Sequence, residues 1–509
     1  MSFEPFEPDF EAFAQDYEAG RPCLVSIRLV GDLETPVSAY LKLSRRRKGA
    51  AFLLESVEGG AARGRYSMIG LDPDVVFRVE NGKATINRAA LIDPAAFQDC
   101  GAPPLTALRA LIAESQIPER DGLPPMAAGV FGYLGYDMVR EMERLAPAKP
   151  DPIGTPDAIL VRPTVMVVFD GVRDEVIVVT PVRPRDNVAA RAAHEAALDR
   201  LGRIAEALDG PLDRLEHLAD PLLVAAKPAS NTAPERFHEM VERAKEYIRA
   251  GDIFQVVLSQ RFTAPFALSA FALYRALRRV NPAPFLCFLD FGDFQIVCSS
   301  PEILVRLSDG KVTIRPIAGT RWRGANAEED RLLAQDLLAD EKERAEHLML
   351  LDLGRNDVGR VAKTGTVKVT ESFTIERYSH VMHIVSNVEG EIDPSHDAIS
   401  ALAAGFPAGT VSGAPKVRAM EIIDELETDK RGIYGGCIGY FGSGGQMDTC
   451  IVLRTAVVKH GEMHVQAGAG VVYDSVAAYE QRECENKAMA LMRAAEEAVR
   501  FAARAKRGQ

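Results

Sequence analysis

PFLCFLDFGDFQIVCSSPEILVRLSDGKVTIRPI, residues 284–317, contains four apolar runs: PFLCFLDFG (284–292), FQIVCSS (294–300), ILVRLS (303–308) and KVTIRPI (311–317). Each is too short for a helix, is rich in β-branched or aromatic residues, and is set off from the next by Gly, Asp or Pro. Asp309-Gly310 is a two-residue hairpin signal, because both positions tolerate positive φ. Runs joined this tightly pair antiparallel, since a parallel crossover needs a dozen or more residues. The same pattern continues on both sides. CIGYF (437–441) and MDTCIVLRTAVVK (447–459) are joined by GSGGQ, while CLVSIRL (23–29), DVVFRV (74–79), TVMVVFD (164–170), EVIVVTPV (175–182) and IFQVVLSQRF (253–262) read as strands.

Helices are interspersed without a βαβ rhythm. One is expected over about 187–208, and a T-x-x-E capping box at Thr232 and Glu235 predicts another through Ile248, stopping at Gly251. Others are expected over about 327–350, from near Pro415, and from about Ser475 into the basic tail. The fold class is therefore α+β, with large antiparallel β-sheets packed as a sandwich and surrounded by helices. The Pro-rich stretch 209–234 marks a boundary. The domains read as 1–210, a connector at 211–231, a catalytic unit at 232–490, and a helix end with basic tail at 491–509.

Sixty Lys and Arg against 72 Asp and Glu leave a net charge of −12 over 509 residues. No basic stripe exists for nucleic acid, and Arg45–Lys48 reads as a solvated loop. The opening MSFEPFEPDFEAFAQDY lacks the basic and apolar regions of a secretory leader, and no run is long enough to span a membrane. Seven cysteines without a C-x-x-C pair read as reduced thiols of a cytosolic protein.

Chemistry concentrates in three segments. In DEKERAEHLMLLDLGRNDVGRV (340–361), Glu343 and Glu346 are three residues apart and share a helical face, suited to Mg²⁺ or to acid–base work. A lone E-x-x-E is more often an exposed face. His347 does not make a zinc site, because helical zinc motifs need two histidines, and GRND (354–357) reads as a helix C-cap at Gly354. AGTVSGAPK (408–416) leads into a helix N-terminus suited to an anion, without being a P-loop. In VQAGAGVVYDS (465–475) the glycines suggest a bulge or a close backbone approach. Glu480 and Glu483 then repeat the acidic spacing, so two helices could share one Mg²⁺. Arg454 and His383 lie inside apolar strands, where alternation alone does not say which way they face.

Taken together, GDIFQVVLSQRF, PIAGTRWRG, EHLMLLDLGRNDVGRV, YSHVMHIVS, GTVSGAPKVRAM, YGGCIGYF, MDTCIVLRTA and QAGAGVVYDSVAAYE resemble the chorismate-utilising enzymes, and within them the anthranilate synthase component I family. LLES (53–56) and GRYSMIG (64–70) extend the likeness to the first domain. The resemblance implies conversion of chorismate and ammonia to anthranilate and pyruvate with Mg²⁺. It implies Glu346 and Glu483 as metal ligands and Glu343 as the acid for the departing C4 hydroxyl. His383, Thr410 and Lys487 fall at matching catalytic places, and Gly319, Thr320, Tyr434, Arg454, Gly468, Ala469 and Gly470 at chorismate-binding ones. Sister enzymes carry a lysine where this chain has Ala318 or Gln255, and neither amine is present here. A glutamine amidotransferase subunit is implied as the ammonia source. Leu54, Glu55, Ser56, Asn281, Pro284, Phe285 and Leu286 resemble a tryptophan feedback site, with Phe-Leu standing where Tyr-Met is familiar.

Overall fold

The computed structural model describes residues 6–44, 49–58, 62–212, 228–378 and 381–503. The Arg45–Lys48 run, most of the expected connector and the end of the basic tail lie outside them. Strand pairing is antiparallel throughout the described residues.

Two long strands, Ala62–Glu80 and Ala158–Asp170, organise the whole. They pair along their length, but the register slips between Pro73 and Val75, where Pro73 faces Pro163 and Asp72 takes φ 50°. Proline removes a ladder donor, so the ladder bends there. On one side of the bend the long pair joins the strands Ala51–Glu58 and Glu175–Val182. That sheet runs on through Phe285–Asp290, Phe294–Ser300, Thr455–Lys459 and Glu462–Val471 to Gln255–Pro265. On the other side the long pair joins Lys83–Asn87 and Gly129–Leu134. The second sheet continues through Cys437–Gly442, Met447–Ile451, Ile303–Ser308 and Lys311–Ile314 to Val381–Glu391.

The two sheets face each other over a core that includes Phe52, Phe131, Tyr133, Met166 and Ile438. Phe52 stacks on Phe131 at 4.8 Å between ring centres. The outer face of the first sheet is covered by the helices Ala190–Asp209, Pro234–Arg249, Ala270–Val280 and Ala477–Ala503. Pro104–Ser115, Glu341–Gly359 and Ala398–Gly405 cover the second. Strand faces therefore alternate between two buried environments. Along 285–290, Leu286 and Phe288 point to the helices while Cys287 and Leu289 point to the inter-sheet core. That is why the opening stretch reads as continuously apolar rather than alternating.

The Asp309-Gly310 hairpin forms as expected, with φ of 52° and 71° closing the Ser308–Lys311 pair. Three local expectations are corrected. The capping box does not form: the helix begins at Pro234 with no side-chain cap, and the Thr232 hydroxyl donates to Asn231 instead. The helix expected over 327–350 is two helices, Ala327–Ala339 and Glu341–Gly359. Asp340 ends the first and caps the second, its carboxylate accepting from the N–H groups of Lys342 and Glu343. Gly354 does not end that helix, which runs on to Gly359. A Cβ there would stand 3.4 Å from Ile314, in ordinary contact with the sheet.

Gly439 sits in the second sheet between Gly132 and Thr449. A Cβ on it would stand 2.1 Å from the Asp448 carbonyl oxygen. Gly439→Ala is expected to destabilise by about 1–3 kcal/mol, read as a lower urea midpoint with an unchanged slope.

Candidate functional site

The break at Asp340 sets the direction of the Glu341–Gly359 helix, whose first turns lie along the strands Ile317–Trp322 and Val381–Glu391. Gly319 occupies the left-handed region at φ 68°, and the space of its missing side chain lies 3.1 Å from Glu343 Oε2. Arg321 approaches the same carboxylate at 3.4 Å. Burial, followed by the neighbouring Glu346 charge, raises the pKa of Glu343 above the ordinary carboxylate value. Glu343 therefore holds a proton more readily than a solvated glutamate.

His383 is buried beside it, with Nδ1 at 2.8 Å from the Gly319 carbonyl and 3.2 Å from the Thr320 hydroxyl. A carbonyl only accepts, so Nδ1 carries the proton and Nε2 keeps its lone pair. Burial lowers the His383 pKa, which keeps the ring neutral. His347, by contrast, is fully buried with Nε2 on the Ser386 hydroxyl at 2.7 Å, and burial lowers its pKa to about 4. It is a core residue rather than a ligand.

Opposite, the strands Gln255–Pro265 and Glu462–Val471 pair in unbroken register, so Gly468 and Gly470 mark no bulge. They are close approaches instead. A Cβ on Gly468 would stand 2.8 Å from the Tyr434 hydroxyl, and one on Gly470 would stand 2.5 Å from Gln255 Nε2. Gln255 fills that slot and donates to Glu346 at 3.4 Å, while its buried Oε1 has no hydrogen-bond partner among the described residues. Ala469 is buried between the two glycines. Lys487, on the last helix, donates to the Gly468 carbonyl at 2.9 Å and pairs with Glu483 at 2.7 Å. Glu480 is buried one turn earlier, and burial raises its pKa.

The four glutamates do not close on a single point: no three of their oxygens lie within 4.8 Å of one another among the described residues. What they offer is oxygen donors on two helices, with the orphaned Gln255 amide oxygen beside Glu346. That donor set fits a hard cation held by one or two carboxylates and completed by a ligand's own oxygens.

Arg454 takes φ 49°, and its carbonyl accepts from Ser299 at 3.2 Å. No carboxylate lies within salt-bridge distance of its guanidinium among the described residues. Burial lowers its pKa, against the favourable charges of Tyr378 and Glu302. Glu302 was not visible as a candidate from sequence. It accepts from the Thr410 hydroxyl at 2.9 Å, and burial pushes its pKa up to about 8. Its only signal was an acid in an apolar stretch directly after Pro301.

The seven residues of the expected regulatory region also meet. Leu54, Glu55 and Ser56 pair in register with Cys287, Leu286 and Phe285. Glu55 accepts from the Tyr274 hydroxyl at 2.5 Å and from Arg278 at 2.7 and 2.9 Å. Pro284 precedes this strand, and the Asn281 carbonyl accepts from Ser299 at 2.5 Å. Ser299 is thus bonded both to Asn281 and, through its N–H, to Arg454.

A carboxylic acid of raised pKa, a neutral histidine, an arginine with no carboxylate in salt-bridge distance among the described residues and side-chain-free glycine backbone are the groups with which an enzyme could hold and protonate a small anion. The chain belongs to the chorismate binding enzyme family, which matches residues 49–493. It is 57% identical to anthranilate synthase component 1 of Cereibacter sphaeroides, over 98% of this chain and 99% of that protein. The crystal structure of anthranilate synthase component I from Streptococcus pneumoniae superimposes with a TM-score of 0.73 at 39% identity, covering 91% and 98% of the two chains. The menaquinone-specific isochorismate synthase MenF of Escherichia coli shares the fold, with a TM-score of 0.70 at 18% identity over 94% and 95% of the chains.

Glu302 supplies a pH test. Its folded pKa of about 8 stands above the ordinary 4.5, so its stabilising contribution is full below pH 4.5 and is lost as pH rises through 8. The loss amounts to at most about 5 kcal/mol. Glu302→Gln keeps the shape without the titration. The variant should therefore gain stability relative to the parent between about pH 5 and about pH 8, read from paired thermal melts.

Proposed function

We propose that this chain is the large, aminating subunit of an anthranilate synthase, acting on chorismate and ammonia to give anthranilate and pyruvate. The observation that carries the reading is Arg454: a largely desolvated guanidinium with no carboxylate in salt-bridge distance among the described residues, in a protein of net charge −12. Such a residue awaits an anion, and a chorismate carboxylate fits it.

On this reading Arg454, the Tyr434 hydroxyl and the 468–470 backbone hold the substrate dianion. Glu343 delivers its retained proton to the C4 hydroxyl, which is a poor leaving group without an acid. His383, neutral and fixed through Nδ1, lies beside the reacting ring, with Thr320 and Gly319 framing it. Thr410 is held by Glu302, and Lys487 fixes the Gly468 carbonyl. Glu346 and Glu483 would hold Mg²⁺, whose chemistry is to neutralise and orient the ring carboxylate. With Ala318 and Gln255 in place of the lysines of the sister enzymes, ammonia is the remaining nucleophile for C2. A partner glutamine amidotransferase subunit supplies it, tryptophan binds at 54–56 and 281–286 as feedback inhibitor, and the enzyme works in the cytoplasm. Among the described residues no helix is long and apolar enough to cross a membrane.

Purified chain given chorismate, Mg²⁺ and ammonium salts at alkaline pH should form fluorescent anthranilate. Aminodeoxychorismate or isochorismate as sole product would assign it elsewhere. Glu343→Gln should lower kcat by about 10²–10⁴ with little change in KM. Glu346→Gln should lose most activity, with partial recovery at high Mg²⁺. Ser56→Phe should leave turnover intact and blunt tryptophan inhibition, read from the inhibitor concentration needed for half activity.

A further inference from the structure

All seven cysteines are unpaired thiols, and three of them meet at a place the proposed reaction does not use. Cys287 and Cys298 face each other on neighbouring strands of the first sheet. Cys450 comes from the second sheet, across the inter-sheet core. Their Sγ atoms all lie within 4.8 Å of one another, and the residues are 4%, 0% and 1% exposed. A pyramidal three-coordinate ion with ion–sulfur bonds of about 2.3 Å sets its sulfurs about 3.5 Å apart. The cluster therefore has to draw in by little more than an ångström to hold one. No histidine or carboxylate joins it among the described residues, so the fourth ligand of a structural zinc site is missing. Soft sulfur donors alone select thiophilic ions.

The thiols also polarise one another. Burial by itself would raise Cys298, but hydrogen bonds from Cys287, Cys450 and Thr455 outweigh it and hold Cys298 well below the ordinary thiol value. The bond to Cys298 pushes Cys287 up, and bonds to both neighbours push Cys450 up.

We infer that Cys287, Cys298 and Cys450 form a preassembled three-sulfur site for a three-coordinate thiophilic ion of the arsenic(III) class. With arsenous acid the step balances without redox change. Three As–O bonds break and three As–S bonds form, and each thiol proton leaves with a hydroxide as water. Arsenic stays trivalent. Because the sulfurs are buried, loading follows local opening of the strands and is slow. Once bound, the ion ties the two sheets together.

The test uses the full reduced chain incubated with sodium arsenite. Native mass spectrometry should show one arsenic gained with three protons lost, and arsenic-edge X-ray absorption should show three sulfur neighbours. The melting temperature should rise with arsenite, because a ligand that favours the folded state stabilises it. Cys298→Ala should abolish the adduct and Cys484→Ala should keep it. Failure to form the adduct, a two-sulfur environment, or an adduct surviving Cys298→Ala overturns the site. So does a falling melting temperature, which would mean that arsenite captures the thiols from the unfolded chain. The absorption and melting measurements on the parent chain decide the matter even if Cys298→Ala does not fold.

Discussion

One buried ion pair sets the frame of the candidate site. Arg431 binds both oxygens of Glu427, donates to the carbonyls of Val411 and Val257 at 2.6 Å each, and lies 4.7 and 5.6 Å from the ring centres of Tyr136 and Tyr434. Glu427 in turn accepts from the Ser259 N–H and hydroxyl. Burial alone would lower the Arg431 pKa, but the Glu427 charge outweighs it and leaves the guanidinium firmly protonated. Thr410 precedes Val411, Gln255 lies two residues before Val257, and Tyr434 stands over Gly468. One guanidinium thus fixes the relative positions of three walls of the site. Losing either partner of such a pair leaves a buried charge unmatched, at a cost of about 3–5 kcal/mol.

The site also requires the whole chain. Strand 51–58 pairs with 285–290, and strand 129–134 pairs with 437–442, so the first two hundred residues supply edges on which the later ones build. Through Ser299, the backbone of the expected inhibitor region is two hydrogen bonds from the Arg454 carbonyl.

Much of this was legible in sequence because hairpins are local. Asp309-Gly310 and the 442–446 turn announce their strands, and short apolar runs exclude parallel crossovers. The helix break at Asp340 was not legible, because the apolar pattern continues on both sides and only the cap reveals it. Thr232 misled for the opposite reason: the spacing was right, but Pro234 starts the helix and the hydroxyl found Asn231 first. Whether Arg454 and His383 face inward depends on strands from tens to more than a hundred residues away, and alternation carries no such information. Glu302 was hidden because an acid becomes notable only when its surroundings are known to be dry. The carboxylate pairs were correctly placed on helical faces, but their failure to converge in threes is a matter of three-dimensional spacing that no linear motif encodes.

Gly470 gives up its side-chain space to Gln255, which reaches across the strand pair to Glu346. The backbone there is regular β-ladder, with no turn or insertion to rebuild. Residue 255 therefore behaves like an interchangeable tool in a fixed holder: a side chain of similar length can take its place while both strands stay where they are. Substitutions at this position can then accumulate without passing through misfolded intermediates.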